Sequence, residues 1–161
     1  MKKFIVLSII LLMLAGFAIT SSAMEVTLFA DQSLPVGTLT VEVVGGNLEV
    51  TYTITNPEWE LGDTHLYVGI LPPKKSAPGQ FPYDAIDGVY EIDLEEGFTG
   101  TLFIAAHAEI GMIDEDGNPV IDPDTEEQIM ETAWATGGEE EGFACIPPCR
   151  NWAMYFEFVV E

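Results

Sequence analysis

The sequence predicts an all-β domain, a two-sheet antiparallel β-sandwich of the immunoglobulin-like or jelly-roll-like kind with about eight strands. Three observations lead to this prediction. Apolar and polar residues alternate with a period of two over most of the chain, and turns rich in Gly, Pro and Asp separate the alternating segments. No segment longer than about ten residues carries a helical stripe. This pattern is typical of antiparallel sheets that bury one face and expose the other.

The clearest predicted element is a hairpin around Gly45-Gly46-Asn47. Apolar residues alternate with Thr and Glu on both sides of this turn, over residues 38–43 and 48–55. Two adjacent glycines suit a tight hairpin because they accept a positive φ without strain. The remaining predicted strands, in chain order, are 25–31, 64–71, 89–94, 101–110, 129–135 and 152–160. In two of these strands alternation predicts which residues share the buried face. They are Leu66, Val68 and Ile70 in strand 64–71, and Trp152, Met154, Phe156, Phe158 and Val160 in strand 152–160.

Three segments between strands are predicted to be loops or turns. Residues 71–83, here named the proline loop, contain four prolines and therefore cannot form a central strand. A loop of this length is uncommon unless it is functional or disordered. Residues 111–128 are predicted to form an acidic hairpin arm, and Glu139-Glu140-Glu141 to lie in a mobile loop.

The first 23 residues are predicted to be a secretory signal peptide. Lys2 and Lys3 precede an apolar run over residues 4–19, and small residues follow at 20–23. The apolar run is shorter than the roughly 20 residues that span a bilayer. We therefore expect cleavage after Ala23, no membrane span in the mature chain, and a location outside the cell or on the exterior of its envelope. Residues 24–161 are predicted to form a single domain.

The charge of the chain excludes one class of partner. Loss of the signal peptide leaves three basic residues, Lys74, Lys75 and Arg150, against 27 acidic ones, for a net charge of −24. A nucleic-acid-binding protein needs a basic surface that displaces counterions from phosphates, so we expect no nucleic-acid partner. Screening salt or bound cations should stabilise so acidic a domain.

The two cysteines lie close together in Cys145-Ile-Pro-Pro-Cys149. In a secreted chain, an even pair of cysteines predicts a disulfide. The loop that this disulfide closes is small, so its loss of chain entropy in the unfolded state would stabilise the fold by about 2 kcal/mol. The bond would therefore constrain only a local turn. Redox motifs have two intervening residues, whereas this segment has three.

Two sets of residues are candidates for metal binding. His65 and His107 lie mid-strand on the face opposite the regular aliphatic residues, and Glu109 follows His107 on the same face. If their strands are neighbours, these three side chains, with or without Glu131, could bind zinc or another divalent ion. The alternatives are histidines that are hydrogen-bonded beneath loops, or general acid–base catalysis.

The second candidate set is Asp114, Asp116 and Asn118 in the acidic arm. Alternating oxygen ligands on a short flexible segment resemble the start of a calcium loop. The pattern departs from that of an EF-hand because Gly117 precedes Asn118. An ordinary hairpin turn is the alternative interpretation.

Aromatic residues outside the predicted core are candidates for ligand binding. Trp59, Phe81 and Tyr83 lie in predicted loops and could stack on a ligand, whereas Trp134 and Trp152 fall on strands and are predicted to pack in the core.

The sequence offers few candidate residues for catalysis. The only serines after residue 23 are Ser33 and Ser76, and neither lies in a nucleophile elbow.

Five motifs in order resemble those of a family of uncharacterised secreted prokaryotic β-sandwich domains. They are THLYVG at 64–69, PGQFPY at 78–83, IAAHAE at 104–109, ETAWA at 131–135 and NWAMYF at 151–156. The resemblance covers nearly the whole mature chain. It implies secretion and a compact β domain, and it implies no reaction.

The sequence favours a secreted, non-enzymatic module that recognises an extracellular surface, a polysaccharide or another protein. This hypothesis depends on the all-β scaffold, on the aromatic residues of the proline loop and on the small number of candidate catalytic residues. Two alternatives stay open. One is a divalent-metal protein or small hydrolase centred on His65, His107 and Glu109, and the other is a protein whose assembly depends on calcium.

Overall fold

The computed structural model describes residues 22–83, 85, 87–136 and 142–161, and within them the chain forms nine strands and one 3-10 turn at Pro78–Gln80. The strands are β1 (Ala23–Ala30), β2 (Leu34–Val44), β3 (Asn47–Ile54), β4 (Trp59–Gly69), β5 (Val89–Asp93), β6 (Gly100–Met112), β7 (Met130–Ala135), β8 (Phe143–Cys145) and β9 (Met154–Val160). None of the described residues belongs to a helix of the length and hydropathy needed to cross a membrane. Most of the predicted signal peptide and the Glu139–Glu141 segment lie outside the described residues.

All strand pairs are antiparallel and belong to one open sheet, in the order β5-β3-β2-β1-β7-β6-β9-β8, with β4 paired to β6. The sheet branches at β6, which is 13 residues long and therefore has room for three partner strands. Strand β4 lies along one edge of β6, while β9 and β7 share the other edge, at residues 100–104 and 107–111 respectively. The sheet thereby folds into a sandwich-like arrangement, which confirms the predicted fold class.

The main core lies between the two layers of this sandwich. Its fully buried side chains come from both layers: Leu39 and Val41 of β2, Leu48 and Val50 of β3, Leu66 of β4, Ile104 and Ile110 of β6, and Phe156 of β9. Each such side chain contributes roughly 1.5–3 kcal/mol by leaving water. A second, smaller cluster covers the outer face of β6, formed by Ala105, Trp134, Ile146 and Ala153. Because β6 is covered on both faces, residues 104–108 are all buried.

The hairpin predicted around Gly45-Gly46 is confirmed, and both glycines have positive φ, 61° and 94°. The start and end of β4 differ from the prediction. It begins at Trp59 rather than residue 64 and ends at Gly69, so that Ile70, predicted to be buried, is 68% exposed. The Tyr67 hydroxyl donates a hydrogen bond to the carbonyl of Leu71 (2.8 Å) just before the first proline of the loop, where the chain leaves the sheet.

The last part of the chain contains two more differences. Strand β8 was not predicted because three residues are too few to show alternation. Trp152 precedes β9 and packs on the outer cluster, whereas Phe156, Phe158 and Val160 face the main core as predicted. The disulfide between Cys145 and Cys149 is present, with the Cα atoms 5.4 Å apart.

Candidate functional site

The structure brings the two histidines together, a point that the sequence left open. His65 of β4 and His107 of β6 are direct partners in the β4–β6 ladder, and their ring centroids are 5.6 Å apart. On its other side His107 is paired with Trp134 of β7, and the edge-on contact between these rings has a centroid distance of 4.9 Å. We call His65 and His107 the histidine pair. It lies on the outer face of the sheet, opposite the aliphatic residues of the main core.

Burial determines the charge state of His107. This residue is only 4% exposed, and its Nδ1 is the one buried side-chain nitrogen or oxygen of the described residues that has no hydrogen-bond partner. Desolvation, and secondarily the neighbouring His65, lowers the pKa of His107 from its ordinary value of 6.5 to about 4. The imidazole of His107 is therefore neutral at physiological pH.

Tyr52 connects the histidine pair to the opposite layer of the sandwich. Its hydroxyl donates a hydrogen bond to the backbone carbonyl of His65 (3.0 Å). Burial and the neighbouring Tyr90 raise the pKa of Tyr52 well above its ordinary value, and a backbone hydrogen bond from His107 partly opposes them. Tyr52 therefore stays a neutral donor and fixes the backbone beneath both imidazoles.

The structure does not bring Glu109 into a three-residue metal site. A β-bulge in β4 places Gly62 and Asp63 opposite Glu109, so Glu109 has no direct partner on β4, and its side chain is exposed. Glu131 pairs with Ile110, which faces the main core, and so it lies on the other face of the sheet from His107. No group of three or more His, Cys, Asp or Glu side chains suited to a metal occurs within the described part of the chain.

In the acidic arm, residues 114–118 have the geometry of an ordinary turn, which was the alternative to a calcium loop. The Asp114 carboxylate accepts hydrogen bonds from the backbone N–H groups of Asp116 (3.0 Å) and Asn118 (2.8 Å), and also from the Asn118 side chain. The backbone bond from Asn118 is the main reason why the pKa of Asp114 is lowered. Asp114 thus closes its own turn, and calcium binding by Asp114, Asp116 and Asn118 stays a prediction.

A cavity of about 450 Å³ lies under the proline loop, and we call it the proline-loop cavity. Its wall includes the rings of Tyr67 and Phe81, the two lysines and Gln80, together with Leu71, Pro72, Pro73 and Ala77. The Phe81 ring is held by contacts with Tyr67 (6.0 Å) and Trp134 (6.2 Å) between ring centroids. Lys75 Nζ donates to Gln80 Oε1 (3.3 Å), and both Lys74 and Lys75 are exposed.

The three predicted ligand-binding aromatics have different environments. The prediction that Trp59 lies in a loop outside the core is wrong, because β4 begins at this residue and places its side chain in the main core, 6% exposed. Tyr83 is half-buried against the same core and forms a bridge with Leu66. Phe81 is half-buried and is the only one of the three that lines the proline-loop cavity.

Sequence reasoning missed Tyr67 as a residue of this cavity. Its position in β4 carried a signal, since alternation already placed it on the face opposite Leu66 and Val68.

Comparison of the chain with protein-family models, with curated proteins and with solved structures finds no match. The resemblance to a secreted family therefore stays a prediction, and a function must be inferred from the two sites themselves.

Proposed function

We propose that this protein is a non-enzymatic extracellular recognition module that binds a carboxylated sugar unit in the proline-loop cavity. The observation that carries the proposal is the composition of the cavity wall, where two aromatic rings and the only two lysines of residues 22–161 face one space. A volume of about 450 Å³ lies within the range of small-molecule sites.

The chemistry of the wall favours a sugar that carries a carboxylate. The rings of Tyr67 and Phe81 provide apolar surfaces on which the C–H face of a sugar ring can pack. The ammonium groups of Lys74 and Lys75 provide point charges and hydrogen-bond donors for a carboxylate. Among the lining residues that the structure describes there is no Asp, Glu, His or Ser, which supports binding rather than hydrolysis.

The overall charge limits the kind of polysaccharide. A net charge of −24 on residues 24–161 repels a uniformly anionic polymer from the molecule as a whole. We therefore infer a polysaccharide in which single uronic-acid units occur in, or end, a neutral chain.

The test is a binding titration with an oligosaccharide that ends in glucuronic acid and with its glucose-terminated counterpart. We expect the acidic oligosaccharide alone to bind measurably. Replacing both lysines, Lys74→Gln with Lys75→Gln, should weaken this binding at least tenfold, because about 1.4 kcal/mol of charge-assisted hydrogen bonding is lost.

The matched control is Arg150→Gln, which removes an exposed basic residue that does not line the cavity. This variant should bind like the wild type. Equal affinity of the wild type for the acidic and neutral sugars, an absence of binding to both, or an equal loss in Arg150→Gln would contradict the proposal. Because all three basic side chains are exposed, the thermal unfolding curves of the variants should match that of the wild type.

A further inference from the structure

We infer that the histidine pair is a two-imidazole binding site for a divalent transition-metal ion of the copper or zinc type. This site is separate from the proline-loop cavity, whose wall contains neither histidine. The inference depends on the geometry of the pair, on an unpartnered buried nitrogen, and on the charge of the molecule.

The unpartnered nitrogen is the first argument. Nδ1 of His107 is sealed from water and has no hydrogen-bond partner among the described residues. A buried polar atom in this condition has lost its hydration with no hydrogen bond to compensate for the loss. Such a group in a native fold requires an explanation, and an ion bound to the nitrogen lone pair provides one.

The position of the other imidazole also suits an ion shared by the two rings. Bonds of 2.0–2.1 Å from one metal ion to a nitrogen of each ring put the ring centroids roughly 5–6 Å apart. The observed separation of the His65 and His107 centroids is 5.6 Å, with a tilt of 30° between the rings. Both residues lie opposite each other on paired strands, and the Trp134 ring contacts His107, so the two imidazole rings are held beside each other before any ion arrives.

Access from solvent and the number of available ligands are also compatible with a bound ion. His65 is half-buried, so the pair can be reached from solvent on that side, and the negative charge of the molecule raises the local concentration of cations. Among the described residues no third His, Cys, Asp or Glu completes the site. Water or an exogenous ligand would fill the remaining positions, and imidazole ligands suit both ions, with copper bound more tightly than zinc.

The first experiment uses the mature chain without a His tag, freed of metal by a chelator and then dialysed. One equivalent of Cu²⁺ should give an electron paramagnetic resonance spectrum with hyperfine coupling to two nitrogens. His65→Gln should show coupling to one nitrogen at most and bind Cu²⁺ more than tenfold more weakly. The matched control, Glu109→Gln, changes an exposed neighbour and should retain both nitrogens.

The second experiment needs no variant. The chain has only two histidines, so an imidazole ¹H–¹⁵N correlation spectrum contains two sets of signals. Titration with Zn²⁺ should shift both sets and should saturate at one ion per chain. A shift of neither set or of one set alone, an absence of nitrogen coupling to Cu²⁺, or unchanged affinity in a folded His65→Gln variant would overturn the inference.

Discussion

His107 lies between His65 and Trp134 with almost none of its surface in water. A charged imidazole at this position would lose its hydration and would lie beside a second imidazole, and both effects favour the neutral form. The placement of one side chain therefore links the stability of the fold to pH.

The pH dependence of stability follows from the lowered pKa of His107. The folded-state pKa of about 4 is below the ordinary value of 6.5, so the unfolded chain binds more protons between these two values. The free energy of unfolding should fall as the pH decreases from about 6.5 to 4. The His107 contribution to this loss should reach at most about 2 kcal/mol at pH 5.

Urea unfolding of metal-free protein at pH 7.5 and pH 5, with chelator present, measures this effect. The control is His107→Asn, in which the carboxylates still titrate but the buried imidazole is absent. The wild type should lose more stability than this variant between the two pH values. Equal losses in the two proteins would show that His107 does not titrate as its burial implies.

At this scale, the sequence predicts which face a side chain occupies better than it predicts what the side chain contacts. Alternation placed His65, His107 and Tyr67 on the face opposite the main core. It did not show that His65 and His107 are direct partners, because the pairing and register of β4 with β6 depend on contacts about 40 residues apart along the chain. Trp59 was misplaced for a similar reason, since the β-bulge of β4 conceals the beginning of the strand in the sequence.

At the scale of strands, local signals were sufficient for elements whose partners are adjacent in sequence. The β2–β3 hairpin could be predicted because its turn and both alternating strands are contiguous. The branching of the sheet at β6 could not, because it requires β4, β7 and β9 to meet one strand. The run of alanines in β6 is explained only by this arrangement, which covers the strand on both faces.

Gly37 shows how closely the strands approach at one point. It is buried in β2 between β1 and β3, and a Cβ atom added there would overlap the backbone carbonyl oxygen of Thr53. Gly37→Ala should therefore lower the free energy of unfolding by about 1–3 kcal/mol or more. Gly79→Ala is the matched control, because Gly79 lies in the 3-10 turn with nothing within 4 Å of the new methyl group.

Urea-induced unfolding of the two alanine variants tests this difference. The Gly79→Ala variant should stay within about 0.5 kcal/mol of the wild type. Stabilities of Gly37→Ala and Gly79→Ala that agree with each other would refute the close approach of β2 to β3 at Thr53.

At the scale of the whole molecule, electrostatic repulsion opposes the compact state. The mature chain predicted from the sequence has 27 acidic residues against three basic ones. An increase in ionic strength from about 0.01 M to 0.15 M shortens the screening length from about 30 to 8 Å. The melting temperature should rise by about 4 °C, which corresponds to about 1 kcal/mol.

Melting curves recorded by circular dichroism at pH 7.5 with chelator present measure this change. Choline chloride should act as well as sodium chloride, because screening depends on ionic strength and not on the kind of cation. A melting temperature that is unchanged or lower in salt would contradict the prediction. An increase with sodium alone would indicate specific ion binding instead of screening.

The open sheet has a further consequence for aggregation. Strand β5 ends one side of the sheet, is only five residues long, and exposes Glu91 and Asp93. A second chain that tried to extend the sheet at this edge would bring its own acidic surface against these carboxylates, which repel it. The charge that opposes the compact state should therefore also keep the β5 edge from growing into a fibril.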